Sequence, residues 1–428
     1  MQNKKQDSLQ LLKVIGPGLL FASSAIGTSH LVLSTRAGAH HGMVFLGIIL
    51  IALILKYPFY EFGPRYANAT GHSLLKGYRD QGKWVVWLFL FVIALSMFAV
   101  VGAIGAVSAG LLSTMFGVQF VSIPILAGII IGLTAIVLLA GDYNFLDATI
   151  KVISIVLLVS VLVAFAAVII NGPVKPVDDF QSAPILNGAG LTLLVGLLGW
   201  MPAGMEASTM NSIWAIEKVR SSNYKPSLSE SLFDFNLGYA FTTILALMFL
   251  TIGAFTVYGT GQVIDGNATQ FSNKLLQIFT ANLGDWSYFV FAVAAFGTIY
   301  GTLIAVMDAF PRCFVHGIRA LKFELIESND SEQTNFIRAS YKITLIVVAL
   351  GGFSLFYFSA ASMVRLLDVV TVISFLLAPI IGFINLRAIQ SEAVPDSHQP
   401  SAWMLLLAKI GLLAMVAFSV YYLSSKFL

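Results

Sequence analysis

Long apolar runs recur along the whole chain and constrain its fold more than any other feature. Many of them reach 18 residues or more, enough helix to cross a hydrocarbon core of roughly 30 Å. Charged residues make up only 11% of the 428 residues, against about 25% in a typical soluble domain. Because a helix satisfies its own backbone polar groups, as lipid requires, the runs predict an all-α, multi-pass membrane protein.

The apolar runs divide into eleven predicted spans, and the lipid bilayer is therefore the first expected partner. An odd number of spans places the two termini on opposite sides of the membrane. The predicted spans cover residues 13–36, 42–65, 85–115, 121–141, 147–171, 190–215, 236–258, 286–312, 339–358, 364–386 and 402–425.

Lysine and arginine are distributed unevenly among the predicted loops. Cytoplasmic loops carry the excess of these residues, so we predict a protein of the cell (inner) membrane with a cytoplasmic N-terminus and an external C-terminus. The N-terminal lysines lead into a full span, and no cleaved signal is expected. The cations assigned to the cytoplasmic side are Lys4, Lys5, Lys13, Arg65, Lys76, Arg79, Lys83, Lys218, Arg220, Lys225, Arg319, Lys322 and Arg338.

Two spans are interrupted by small or polar residues at corresponding positions. Span 1 contains "AIGTSH", residues 25–30, and span 6 contains "GWMPAGMEAS", where Pro202 removes a backbone donor. Spans 1–5 and 6–10 form two groups of five, and paired interruptions in the first member of each half indicate a transport site at an inverted-repeat interface. Close packing through small residues is the alternative explanation for either interruption alone. The two groups and the remaining span cover residues 13–171, 190–386 and 402–425.

Two stretches carry a likeness to a known family: "IGPGLLFASSAIGTSHLVLSTRAGAHHG" in the first span and "PRYANATGHSLLKGYRD" after the second. They resemble the Nramp family of divalent-metal transporters, and the likeness extends over all eleven spans in order and length. The resemblance implies a LeuT-like fold with helices 1 and 6 broken. It also implies secondary-active transport by alternating access, in which family members take up manganese, iron and similar ions with protons.

The metal-site signature of that family is mostly replaced in this sequence. The four positions of the family's Asp-Pro-Gly-Asn in helix 1 are here Gly27, Thr28, Ser29 and His30. The four positions of its Met-Pro-His-Asn in helix 6 are here Met201, Pro202, Ala203 and Gly204. Two acids of helix 3 that pass protons in the family correspond to Ser96 and Ala99. The resemblance therefore implies the scaffold and leaves the substrate open.

Two substrate classes compete. A divalent ion prefers oxygen or nitrogen ligands with at least one negative charge, and the signature positions keep no carboxylate. We therefore favour a small organic solute, carboxylate-bearing if it binds free N–H groups of the broken helix. The alternative is a cation carrier of altered selectivity that uses Asp368, His30 and Met201. The residues predicted to bind substrate are Gly27, Thr28, Ser29, His30, Trp200, Met201, Ala203, Gly204 and Asp368, with apolar packing as the alternative role of Trp200.

Ionisable residues inside predicted spans are costly and are therefore candidates for proton transfer or coupling. The candidates are His30, Glu206, Asp368 and Lys56. Each has a structural alternative: a hydrogen-bonded core role for His30, a helix-end or interhelical partner for Glu206, and an ion pair with Arg365 for Asp368. Lys56 either snorkels to the inner surface or is a fixed ammonium that replaces a coupling cation or pairs with an acid.

Other functional classes find little support in the sequence. A net charge of +3 does not suggest nucleic acid binding, and the single cysteine, Cys313, cannot form an internal disulfide. Neither a catalytic triad nor a phosphate loop occurs, so neither an enzyme nor a cofactor is expected. A sensor that has lost transport would need a positive feature, such as an added soluble domain. The pairs Asp308–Arg312 and Asp147–Lys151 are interpreted as structural ion pairs.

Overall fold

The computed structural model describes residues 14–118, 120–141, 143–178, 180–262, 268–280, 284–285, 287–322, 331–358 and 363–427. Lys4, Lys5 and Lys13 lie outside the described residues, and so do the side chains of Asp147 and Lys151.

The described residues fold into helices joined by short connections. The α-helices are α1 (Pro17–Ile26), α2 (Thr35–His41), α3 (Phe45–Thr70), α4 (Leu74–Gln81), α5 (Lys83–Phe116), α6 (Ile123–Ala140), α7 (Tyr143–Asn171), α8 (Gly188–Trp200), α9 (Ala207–Ser222), α10 (Leu228–Thr256), α11 (Ala268–Thr280), α12 (Ser287–Lys322), α13 (Ser331–Phe358), α14 (Met363–Ile389) and α15 (Ala402–Phe427). The π-helical stretch Gly27–Ser34, called the π segment below, joins α1 to α2, and these three elements form helix 1. Single 3₁₀ turns lie at Gly42–Val44 and Asp396–His398.

Within the described residues, each of the eleven predicted spans lies mostly in helix. Within the described residues, 8 helical stretches are long and apolar enough to cross a membrane, and the first, Pro17–Thr70, contains predicted spans 1 and 2. Two shorter apolar helices, Ile155–Asn171 and Gly188–Trp200, coincide with span 5 and with the first half of span 6. The all-α, multi-pass architecture is confirmed.

Several helices extend beyond the predicted boundaries because hydropathy detects only their apolar middle. α10 begins at Leu228 instead of residue 236. Ser227 and Glu230 form a capping box there, which starts the helix in polar sequence. α12 continues past Pro311 to Lys322. These polar turns add length to the helices without adding apolar signal.

Helix 1 lies in the interior and packs along α10 through glycines at both ends. A Cβ added to Gly18 would lie 2.0 Å from the carbonyl oxygen of Asp234, and one added to Gly238 would lie 2.1 Å from that of Gly18. At the other end, a Cβ on Gly38 would lie 2.0 Å from the carbonyl oxygen of Leu250. Small residues let membrane helices approach this closely, and the contact holds helix 1 in the core.

Candidate functional site

The two predicted interruptions are present and face each other. α1 ends at Ile26, and Gly27 departs from helical angles with φ −60° and ψ −117° before the π segment continues. α8 ends at Trp200 and α9 begins at Ala207, so residues 201–206 form a non-helical connection. The hydroxyl of Ser29 lies 3.4 Å from the carbonyl oxygen of Pro202, which joins the two interruptions directly.

A small cavity of about 40 Å³ lies between the two interruptions. One water needs roughly 10–15 Å³ of such space, so the cavity has room for roughly three. The lining side chains that come from helix 1, α8 and α9 are buried, except for the half-buried Ser24. The predicted substrate-binding residues that line the cavity are Thr28, Ser29, Trp200, Ala203 and Gly204.

Glu206 also lines the cavity. It directly precedes α9, where a negative charge is favoured by the helix dipole, and it is 7% exposed. A Cβ added to Gly204 would lie 2.3 Å from Oε1 and 2.5 Å from Oε2 of Glu206. The absence of a side chain at Gly204 therefore lets the carboxylate sit in the interruption. Among the described lining residues, Glu206 is the one with an ionisable side chain.

Sequence reasoning missed two polar residues of the cavity, Ser24 and Thr302. The hydroxyl of Thr302, on α12, donates to the carbonyl oxygen of Ser23 at 2.8 Å. The position of Thr302 also explains why residue 27 is a glycine, because a Cβ at Gly27 would lie 2.4 Å from Oγ1 of Thr302. Serine and threonine are common in membrane helices, and neither residue stands at one of the two predicted interruptions, so no sequence signal marked them.

His30 and Met201 do not line the cavity. The imidazole of His30 is fully buried, with Nδ1 2.6 Å from Ser29 Oγ and Nε2 2.9 Å from the carbonyl oxygen of Thr242. Both ring nitrogens therefore have protein partners, as in the hydrogen-bonded alternative. Met201 is fully buried and does not line the cavity. Trp200 does line it, and its indole N–H donates to Ser374 Oγ at 2.9 Å.

Asp368 does not line the cavity either. Its Oδ1 lies 3.0 Å from Nη1 of Arg36, in an ion pair between α14 and α2. The Arg36 side chain is 7% exposed and that of Asp368 is 25% exposed. Arg36 is a buried residue of α2. Asp368 was predicted to pair with Arg365, and the ion pair that the described residues show for it is this longer-range one, which links the second half of helix 1 to α14.

Asp234 makes a similar link at the other end of helix 1. Its Oδ1 accepts from the backbone N–H of Gly16 at 3.0 Å, and its Oδ2 accepts from that of Gly18 at 2.7 Å. These N–H groups belong to the start of α1 and have no partner within the helix. Sequence reasoning missed this residue, although an Asp beside a predicted span is itself a signal.

Lys56 is buried within the membrane-spanning part of α3. Its ammonium donates to the carbonyl oxygens of Leu198 at 3.0 Å, Gly199 at 3.1 Å and Ala203 at 3.3 Å. The hydroxyl of Tyr60 donates to the same carbonyl of Ala203 at 2.5 Å. Lys56 is 3% exposed, so the snorkelling interpretation is wrong.

The remaining ion-pair prediction within the described residues is confirmed. Arg312 Nε lies 2.7 Å from Asp308 Oδ2, and Tyr341 donates to the other oxygen of the carboxylate at 2.9 Å. Within the part of the chain that the structure describes, no group of three or more His, Cys, Asp and Glu side chains is placed to hold a metal ion.

Comparisons with known proteins identify relatives over nearly the full length. A family model described as natural resistance-associated macrophage protein-like, or Nramp, matches residues 18–425. An uncharacterized protein of Pasteurella multocida is 33% identical over 419 residues, which are 96% of this chain and 92% of that protein. The divalent metal cation transporter MntH of Lacticaseibacillus casei is 26% identical over 315 residues, which are 69% of this chain and 67% of that protein.

Solved structures of transporters share the fold. The manganese transporter of Eremococcus coleocola superposes with a TM-score of 0.70 at 14% identity, covering 97% of this chain and 87% of that one. MhsT in complex with L-phenylalanine superposes with a TM-score of 0.58 at 14% identity, covering 96% of this chain and 98% of that one. These likenesses confirm the predicted LeuT-like fold.

Proposed function

This chain belongs to the Nramp family of membrane transporters, and we propose that it moves a small polar organic solute by alternating access. The solute binds in the cavity between the π segment and the interruption of residues 201–206. Ion pairing of Arg36 with Asp368 closes one end of the path, and the bonds of Asp234 to the start of α1 close the other.

One observation carries the choice of an organic solute. A cation site was predicted to use Asp368, His30 and Met201, and none of the three lines the cavity. The carboxylate of Asp368 is held by Arg36, and both nitrogens of His30 are engaged elsewhere. A dehydrated metal ion would therefore meet few of the ligands it needs.

The groups that do face the cavity suit a solute with both a donor and an acceptor end. Glu206 can accept from an ammonium or amide N–H, and an ammonium would give the stronger, charge-assisted bond. The hydroxyl of Thr28 can donate to a carboxylate, and the start of α9 at Ala207 adds a favourable dipole. Small amino acids and related carboxylates combine these two ends.

The size of the cavity limits the solute in this conformation. About 40 Å³ holds roughly three water-sized groups. Trp200 and Phe310 form part of the apolar wall, so a larger solute requires one of these side chains to move. Small amino acids are therefore expected to bind better than aromatic ones.

A divalent cation is the second candidate. It is favoured by the carboxylate of Glu206 beside the hydroxyls of Ser24, Thr28 and Thr302, because Mg²⁺ is often held by one or two carboxylates together with several waters. The MntH relative is named a divalent metal cation transporter. In this alternative the cation binds with its water ligands retained, and it does not use Asp368, His30 and Met201, which were predicted to bind a dehydrated ion.

The proposal includes the predicted organisation of the chain. Residues 13–171 and 190–386 are the two inverted repeats, the N-terminus is cytoplasmic and the C-terminus is outside, in the cell (inner) membrane. If protons are the coupling ion, Glu206 is the proposed proton carrier. One of the family's proton-passing acids is replaced here by Ser96, whose hydroxyl donates to the carbonyl oxygen of Val92 at 3.1 Å and cannot carry a proton as a carboxylate does. Reporter fusions at the two termini test the orientation, and the predicted result is activity of an externally active reporter at the C-terminus only.

A thermal-shift screen of the purified protein tests the substrate class. The plate contains amino acids, small carboxylates, and Mn²⁺, Mg²⁺ and Ca²⁺ salts. A ligand that binds only the folded protein stabilises it by about 2.7 kcal/mol at 100 times its Kd. We expect stabilisation by one group of small organic solutes, followed by uptake of that solute into proteoliposomes. Stabilisation by a metal salt alone would favour the second candidate, and the lack of any response and of any uptake would reject both.

Matched variants assign the response to the cavity. Thr28→Val and Glu206→Gln should each reduce the ligand-induced shift, because the first removes a hydroxyl and the second a negative charge from the cavity lining. Thr35→Val and Glu217→Gln are the controls: Thr35 is a buried residue of the same helix with no hydrogen-bond partner for its hydroxyl in the described structure, and Glu217 lines a different cavity. The controls should keep the full shift.

A further inference from the structure

Lys56 places a positive charge near mid-depth of the membrane. α3 starts at Phe45, and eleven residues of helix span about 17 Å, roughly half of a 30 Å hydrocarbon core. A charged group at this depth is costly unless its hydrogen-bonding capacity is satisfied. Within the described residues no carboxylate oxygen lies at ion-pair distance from Lys56, so the direct hydrogen-bond partners of its ammonium are uncharged groups.

Three carbonyl oxygens supply that compensation. Leu198 and Gly199 belong to the last turn of α8, whose carbonyls have no partner within the helix because the helix stops at Trp200. Ala203 adds a third oxygen from the interruption. An ammonium has three N–H donors, so every donor of Lys56 has an acceptor at 3.0–3.3 Å.

This set of acceptors is the kind that binds a free cation in transporters. Half-helix C-terminal ends and unwound backbone carbonyls coordinate coupling cations there, and the C-terminal end of α8 carries the negative end of the helix dipole. The Tyr60 ring lies 5.7 Å from the Lys56 ammonium. The ammonium occupies the point on which the three oxygens converge.

We propose that Lys56 is a tethered replacement for a monovalent coupling cation at the interruption of residues 201–206. Its ammonium neutralises the carbonyl cluster in every conformation that keeps α3 against α8, so no exchangeable Na⁺ or K⁺ binds there. The inference takes its meaning from the proposed transport function, but its test needs no substrate.

The test removes the charge and leaves the carbonyls. Lys56→Met keeps most of the aliphatic stem and vacates the position of the ammonium. The melting temperature of the purified variant is measured at equal ionic strength in NaCl, KCl and choline chloride, because choline is too large for the vacated position. We expect Lys56→Met to melt higher in NaCl or KCl than in choline chloride, with a shift that grows with concentration. The wild type and the surface control Lys76→Met should melt at the same temperature in all three salts.

Two results would overturn the proposal. One is a folded Lys56→Met protein whose melting temperature does not depend on the cation. The other is a wild type with the same cation dependence as the variant, because the responding site would then lie elsewhere. Lys56→Gln is the second variant if Lys56→Met does not fold. A wild type that itself melts higher in NaCl or KCl than in choline chloride overturns the proposal even if neither variant folds. The substrate screen described above fails or succeeds independently of these melting curves.

Discussion

Gly199 and Gly204 flank the same interruption and are expected to respond differently to alanine. A Cβ at either position would lie 2.3 Å from an oxygen atom. At Gly199 that oxygen is the backbone carbonyl of Thr371, whereas at Gly204 it is the carboxylate end of Glu206. The first cannot move without shifting α14, and the second can rotate away.

The magnitudes follow from what has to move. Overpacking against a fixed backbone destabilises the folded protein by about 1–3 kcal/mol. Replacing glycine by alanine also stabilises it by about 0.4–1 kcal/mol, because the unfolded chain has less conformational entropy. Gly199→Ala should therefore lose roughly 1–2 kcal/mol. For Gly204→Ala, moving the Glu206 carboxylate costs about 0.5–1.5 kcal/mol, and the entropic stabilisation by alanine nearly offsets this cost. The φ angle of Gly204 is not positive, so alanine causes no backbone strain there.

The assay uses the only thiol of the chain. Cys313 is buried, so a thiol-reactive dye reports unfolding during a temperature ramp. Gly199→Ala should melt clearly below the wild type, and Gly204→Ala should melt near it while losing the ligand-induced shift because Glu206 has left its position. Equal losses of stability in the two variants would refute the distinction between flexible and fixed neighbours. A full ligand response in Gly204→Ala would refute the placement of Glu206 in the site.

Three further substitutions test other parts of the structure. Asn211→Leu should raise the melting temperature. Both polar side-chain atoms of Asn211 are buried without a partner in the described structure, and a buried group without a partner costs about 1–3 kcal/mol of stability. A lower melting temperature would contradict this explanation. Asp368→Asn should speed labelling of a cysteine placed at Thr28 by an impermeant reagent on the Arg36 side, since the ion pair is lost. Asp234→Asn should speed labelling from the opposite side, because α1 loses a charged acceptor. Unchanged labelling rates would show that these contacts do not close the path.

The fold was largely predictable because its main determinants are local. Apolar length predicts a span, and Pro202 and the small residues of "AIGTSH" predicted both interruptions. The cavity was predictable in part for the same reason: Thr28, Ser29 and Gly204 lie where the helices are interrupted, and interruptions are visible in the sequence.

The partners of the charged residues were not predictable. Arg36 and Asp368 are 332 positions apart and meet only once the chain has folded. Lys56 was identified as costly, but its partners are backbone carbonyls that become available only because α8 stops at Trp200. Backbone groups leave no trace in residue identity, so a sequence cannot show which side chain they will hold.

The glycine contacts between helix 1 and α10 restrict how the molecule can change shape. Gly18 and Gly38 are twenty residues apart along helix 1, so the two backbones touch at both ends of it. Neither half of helix 1 can slide along α10 without driving carbonyl oxygens into the facing backbone. Any change of angle between the halves must be taken up by the 8 residues of the π segment. Opening of the path and the shape of the cavity therefore cannot change independently of each other.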